Sequence, residues 1–149
     1  LRLPVVKDLI RNQELASFSQ AFSLLINRGV APLQSLEIAS LSIRDAKTKK
    51  ELKEAAAKIR GGQRIYESMR DFKSLPDFFI KMIEIGEQSG RLEEVLAEVA
   101  DSYNQQIDSD VALVTSVLEP ILILALGLVL GGIVLAILLP IFEVTQMIR

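Results

Sequence analysis

Cysteine and histidine are both absent from the 149 residues of this chain. Without cysteine there is no disulfide framework and no thiolate chemistry. Without histidine, the usual general base at neutral pH and the commonest transition-metal ligand are missing. Both gaps weigh against an enzyme, and no residue pattern calls for a metal or other cofactor. Strand-type alternation is also lacking, and the glycines and prolines fall between helical stripes. Basic residues are scarce near the C-terminal apolar segment: none lies between Leu92 and Leu118, and only Arg149 lies beyond. The rule that places lysine and arginine on the inner membrane face therefore decides nothing here.

What the chain does have is one long apolar run. From Ile121 to Leu139 there is no charge, no hydrogen-bonding side chain and no proline. A helix of that length covers roughly 28 Å, close to the ~30 Å hydrocarbon core of a bilayer. A buried core helix of equal length would keep a polar stripe, and this run is apolar all round. Its distance from the N-terminus separates it from a secretory signal peptide. Charge is segregated as well. Residues 1–91 carry sixteen basic and eleven acidic side chains, net +5, and residues 92–149 carry one basic and eight acidic, net −7.

Punctuation divides the rest into helices. Pro4 opposes an early helix, leaving 1–11 as a lead-in, and Asn12 can cap a stripe of Leu15, Phe18, Phe22, Leu25 and Ile26. Gly29 ends that stripe, and Pro32 suits the first position of the next, which carries Leu33, Leu36 and Ala39 or Ser40. Asp45 can cap a third helix with Leu52, Ala56 and Ile59 inward, stopping at Gly61-Gly62. A short turn with Ile65, Met69 and Phe72 follows. Leu75-Pro76 then opens a helix that buries Phe79, Met82 and Ile83. From Leu92 the stripe Val95, Leu96, Val99, Tyr103, Ile107 and Val111 runs for five turns, with Pro120 as a kink or restart before the span. The expected architecture is all-α: roughly six helices over 12–117, one C-terminal transmembrane helix over 118–142, and a short tail over 143–149.

The order of these landmarks is itself distinctive. Leu3-Pro4, Phe18 with Leu24-Leu25, Gly29-Val30, Leu33 and Leu36-Glu37-Ile38-Ala39 together resemble one cytoplasmic half of the type II secretion F family. These are the inner-membrane platform proteins of type II secretion systems and type IV pili. Leu75-Pro76, Met82-Ile83, Gly86-Glu87-Gln88-Ser89-Gly90 and Leu92 resemble the family's second landmark. Leu118-Glu119-Pro120, Gly127, Gly131 and Leu139-Pro140-Ile141-Phe142 resemble its final membrane segment. Ala31-Pro32 departs from the pattern, since members place the proline directly after Gly-Val. The resemblance implies the second of two related helical domains and the last of three membrane segments. It further implies a cytoplasmic helical domain, a periplasmic C-terminus and a non-enzymatic scaffold in the bacterial inner membrane. The implied partners are a cytoplasmic assembly ATPase, pilins or pseudopilins, other platform components, membrane lipid and further copies of the chain, with no nucleic acid. A tail-anchored helical adaptor without a secretion role is the rival reading. An intramembrane enzyme or transporter needs ionisable groups within the span, and Ile121–Leu139 holds none.

Three groups of residues stand out as candidate sites. Gly127 and Gly131 form a GxxxG, and Gly132 with Ala136 extends a second small-residue row, so a helix-packing face is favoured over incidental glycine. Glu119, immediately before the span, must reach interfacial water or find a cation. With Pro120 it is a candidate contact for an incoming pilin, and plain interfacial placement is equally compatible. Gly86, Glu87 and Gly90 form a helix-turn motif that lacks the lysine of a phosphate loop, so it is expected to be a structural turn. Glu93, Glu94, Glu98, Asp101, Asp108 and Asp110 are expected to line a solvated face rather than a hard-cation site. The same holds for Arg44, Lys47, Lys49, Lys50 and Lys53, although such residues can attract anionic lipid or an acidic partner.

Overall fold

The computed structural model describes residues 4–147, with side chains described for 7–136. Leu1 to Leu3, Arg149, and the side chains of the Leu139-Pro140-Ile141-Phe142 landmark lie outside the described residues. The architecture is all-α: α1 Pro4–Asn27, α2 Pro32–Ala39, a 3-10 turn Ser40–Ser42, α3 Ala46–Arg60, α4 Ile65–Met69, α5 Asp77–Ser89 and α6 Leu92–Met147. No strand occurs among the described residues. The chain separates into two compact units, residues 1–108 and 109–149.

In the first unit, all six helices contribute to one apolar core. Phe18 sits at its centre, its ring 5.7 Å from both Phe22 and Phe79 in tilted geometry. These three side chains are fully buried, as are Leu36, Leu52, Met69, Ile83 and Leu96. Aromatic pairs at this spacing add about 0.5–1.5 kcal/mol beyond the apolar area they remove from water. The expected stripes therefore face inward, with Ala39 rather than Ser40 completing that of α2. The α6 stripe packs through Tyr103 and Ile107 but not through Val111, which is half exposed. Phe78 meets the Tyr103 ring edge-on at 6.3 Å, and burial raises the pKa of the Tyr103 hydroxyl.

Local capping follows the sequence closely in places. Asp45 caps α3, its Oδ2 accepting from the Thr48 N–H and Oγ1 hydroxyl, both at 2.8 Å. Those bonds hold the Asp45 carboxyl below its usual pKa. Pro32 is the first residue of α2. At Gly29, φ is +81°, and the Val30 N–H reaches the Leu25 carbonyl at 3.0 Å, closing α1 in the left-handed manner that glycine allows.

Three expectations need correction. First, α1 begins at Pro4, and Asn12 lies inside it instead of capping it. Proline is at ease in a first helical turn, where its missing N–H has no intrahelical partner. The extra turns are also held from outside, by the Arg11 Nη2 donating to the Ser74 carbonyl at 2.9 Å across 63 residues. Second, α6 does not restart at Pro120 but continues unbroken from Leu92 to Met147, through much of the segment set apart as a tail. Proline removes one backbone bond there, whereas unwinding an apolar run would strand several N–H and C=O groups at a larger cost. Third, Gly86 to Ser89 form the last turn of α5, and only Gly90 makes the reversal, at φ +68°.

Candidate functional site

The Gly86-Glu87-Gln88-Ser89-Gly90 segment is where α4, α5 and α6 meet, and each key residue has a separate task. A Cβ built on Gly86 would lie 3.0 Å from the Leu92 Cα and 3.2 Å from the Val95 Cβ. Glycine is therefore present at 86 for close helix approach. Gly90 supplies the turn. Glu87 reaches across to α4, whose own N-terminal residue Arg64 provides no side-chain cap. The Glu87 Oε1 accepts from the Ile65 N–H and its Oε2 from the Tyr66 N–H, each at 2.9 Å, with the Arg64 Nε at 3.8 Å. The Glu87 side chain is only 18% exposed, so these charge-assisted bonds are partly shielded from water.

Sequence reasoning missed this cap, because the partners stand 21 and 22 residues apart. The available signal was α4 itself: a helix of one turn with no Ser, Thr, Asp or Asn before it. Glu87→Ala leaves two amide donors without their acceptor and should cost about 1–3 kcal/mol, with Glu87→Gln in between. Chemical denaturation followed by far-UV dichroism measures this as a lower midpoint. An unchanged midpoint for the alanine variant would remove the cap from the account.

A second hidden clamp joins the α4–α5 connection to α3. The Glu51 Oε2 accepts from the Ser74 N–H at 3.2 Å and from its hydroxyl. Ser23 on α1 donates through its hydroxyl to the Glu93 carbonyl at 2.6 Å, securing the start of α6. The side chains of Glu94, Glu98, Asp101 and Asp108 are exposed, as are those of Arg44, Lys47, Lys50 and Lys53, while Glu93, Asp110 and Lys49 are half-buried.

In the second unit, α6 from residue 109 carries the remaining candidates. Its large apolar side chains from Leu113 to Leu135 are between 51% and 75% exposed. None of the strongest apolar window is buried by protein, which distinguishes it from a core helix. By length and composition it is the one described helix able to cross a membrane. Glu119 is exposed and makes no ion pair among the described residues, one position before Pro120. Gly127 and Gly131 lie one turn apart, with Gly132 beside them and Ala136 one turn on. A Cβ at any of the three glycines would meet nothing within 4 Å. The small-residue rows are thus open on the isolated chain.

This succession of a six-helix core and an unburied apolar helix matches known proteins along almost its whole length. The family profile described as type II secretion system (T2SS), protein F matches residues 18–140. The chain is 32% identical to type II secretion system protein F of Pseudomonas aeruginosa over 148 residues, covering 99% of this chain and 36% of that protein. It is also 32% identical to type IV pilus assembly protein PilC of Thermus thermophilus over 145 residues, covering 97% and 36%. With PilC of Myxococcus xanthus it shares 28% identity over 149 residues, covering 100% and 36%. The chain thus spans little more than a third of the length of these relatives. Such agreement disfavours an unrelated tail-anchored adaptor and bears out the resemblance in the landmarks: the chain belongs to the type II secretion system protein F family.

Proposed function

We propose that this chain forms a cytoplasmic domain and the last membrane segment of an inner-membrane platform for type II secretion or type IV pilus assembly. The observation that carries this reading is the family match across residues 18–140, which joins the helical core to the apolar helix in one unit of descent. The platform is a scaffold that hydrolyses nothing itself. It transmits the work of a cytoplasmic ATPase to the insertion of pilin or pseudopilin subunits, through contacts with other platform components, lipid and further copies of itself. The core over residues 1–108 faces the cytoplasm and the C-terminus the periplasm. Glu119 and Pro120 lie at the cytoplasmic boundary, where Glu119 receives the N-terminal amine of an incoming subunit.

Topology is the first test, and these 149 residues contribute no native thiol to it. Leu41 is 71% exposed, so Leu41→Cys offers an accessible thiol on the helical core. In intact cells a membrane-impermeant maleimide should leave Leu41→Cys unlabelled and should label Arg149→Cys. The opposite pattern would invert the proposed orientation.

The glycine face is the second test. Gly127→Leu with Gly131→Leu fills the open row and holds neighbouring backbones apart. Co-purification with other membrane segments of the platform should fall by about tenfold, equivalent to ~1.4 kcal/mol. Undiminished co-purification and secretion would reduce these glycines to filler.

A further inference from the structure

Apart from the helix junction and the membrane helix, the first unit holds a cleft of about 360 Å³ that neither role uses. Three separate stretches of chain build it: the start of α1, the segment leading into α3 together with the first turn of α3, and the connection from α4 to α5. Lys7 and Arg11 come from the first, Lys47 from the second and Lys73 from the third. Among the described residues, Lys7, Lys47 and Lys73 have no carboxylate within ion-pair distance, although five other cations of this unit do. Four positive charges thus line one cleft; Lys47 is offset in part by Asp45, while Lys7 and Lys73 form no ion pair among the described residues.

The acids in the wall do not cancel them. Asp45 is engaged in capping α3 through Thr48, and Glu14 is the only other carboxylate lining the cleft. Among the lining residues the balance is therefore positive by two charges, with the Glu51 carboxylate behind Ser74 as a further acid nearby. The wall is also tied in place. Arg11 is anchored on the Ser74 carbonyl and Ser74 on the Glu51 carboxylate, so the third stretch is fixed to α1 and α3 together. Arg11 still has donors left over, since a guanidinium carries five N–H groups. The floor is apolar, formed by buried Leu15 and Ile43 beside half-exposed Ile10. A cleft of this volume falls in the range of small-molecule sites.

We infer that this cleft binds a phosphate ester, with the phosphate among Lys7, Arg11, Lys47 and Lys73 and its organic part against Ile10, Leu15 and Ile43. At neutral pH a phosphate monoester carries close to two negative charges and a phosphodiester headgroup carries one, so either offsets positive charge in the lining. Lysines serve phosphate as point charges, and an arginine adds directed donors. Two sources carry this chemistry: a soluble nucleotide and the headgroup of an anionic phospholipid.

The test uses the full chain in a neutral detergent, titrated with ATP, inorganic phosphate, dioctanoyl-phosphatidylglycerol and dioctanoyl-phosphatidylcholine. Binding is read by calorimetry and native mass spectrometry. Saturable binding of ATP or phosphate assigns the soluble source; binding of phosphatidylglycerol but not phosphatidylcholine or ATP assigns the headgroup. In either case Lys7→Gln with Lys73→Gln should weaken binding by about tenfold or more, and added salt should weaken it further. Lys50→Gln, at a side chain 80% exposed and outside the cleft, should leave it unchanged. Lys73→Gln alone, on a connection between helices, serves if the double variant folds poorly. Absence of saturable binding by all three anionic probes, or equal losses in the Lys50 variant and the cleft variants, would overturn the assignment.

Discussion

Gly86→Val should destabilise the helical core by about 3 kcal/mol, enough to lower its denaturation midpoint sharply. Two effects compete. Removing a glycine from a helix interior gains a few tenths of a kcal/mol from propensity when the replacement is valine, and up to about 1 kcal/mol when it is alanine. Against this, the first added atom would sit 3.0 Å from the Leu92 Cα, a backbone atom that cannot rotate away. Leu92 is itself held, because its side chain and those of Leu96 and Val99 are buried in the same core. Accommodation therefore requires α6 to move off α5, and overpacking of this kind costs about 1–3 kcal/mol or more before the valine methyls are counted. Sterics win. Gly86→Ala should show the same sign at roughly half the size, which separates a packing effect from loss of helix. Against a total stability of about 5–15 kcal/mol for an ordinary domain, the valine loss is a large fraction. A denaturation midpoint for Gly86→Val at or above that of the parent chain would mean that the helices do not approach this closely.

Glu119→Gln should reduce subunit capture by roughly tenfold to a hundredfold, following from a charge-assisted bond of about 1–3 kcal/mol. The substitution preserves size and removes only the charge. On the proposed orientation, Glu119 lies one residue before the span at the depth where a processed pilin presents its free α-amine. The carboxylate is exposed on the isolated chain and forms no ion pair among the described residues, which suits it to take a cation from a partner. The measurement is crosslinking between position 119 and the pilin N-terminus, with pilus or pseudopilus assembly scored in parallel and membrane abundance as the control. Assembly that survives the glutamine at full level would leave Glu119 as an interfacial residue and nothing more.

What could be read from the residues divides by distance along the chain. Asp45 was legible as a cap because its partner Thr48 is three residues on, and Pro32 because its helix starts with it. Core positions such as Phe18, Leu52 and Phe79 were legible from helical spacing. Non-local contacts were not. Nothing near Asn12 reveals that Arg11 is held by Ser74, and nothing near Arg64 reveals that Glu87 completes α4. At Gly86 the sequence alone suggests a turn, since turns and close helix crossings both select glycine; the distances to Leu92 and Val95 tell them apart. The cationic cleft was the least legible, because its four charges come from positions spread between 7 and 73. The family, by contrast, showed in the order and spacing of landmarks, a pattern that individual contacts do not disturb.

The capping of α4 by Glu87 also constrains how the chain can be built during translation. A five-residue helix has far too few backbone bonds to offset its own nucleation, and α4 has no cap of its own to help. Its first two amides find their acceptor only when Glu87, 22 residues further on, has emerged and α5 has swung back against residues 65–69. Before that moment the segment between α3 and α5 has the Glu51–Ser74 clamp and its packing on α3 to hold it, but not the acceptor for its first two amides. Completion of α4 is therefore tied to the arrival of α5, and a chain that stops short of position 87 lacks the acceptor for the amides of Ile65 and Tyr66.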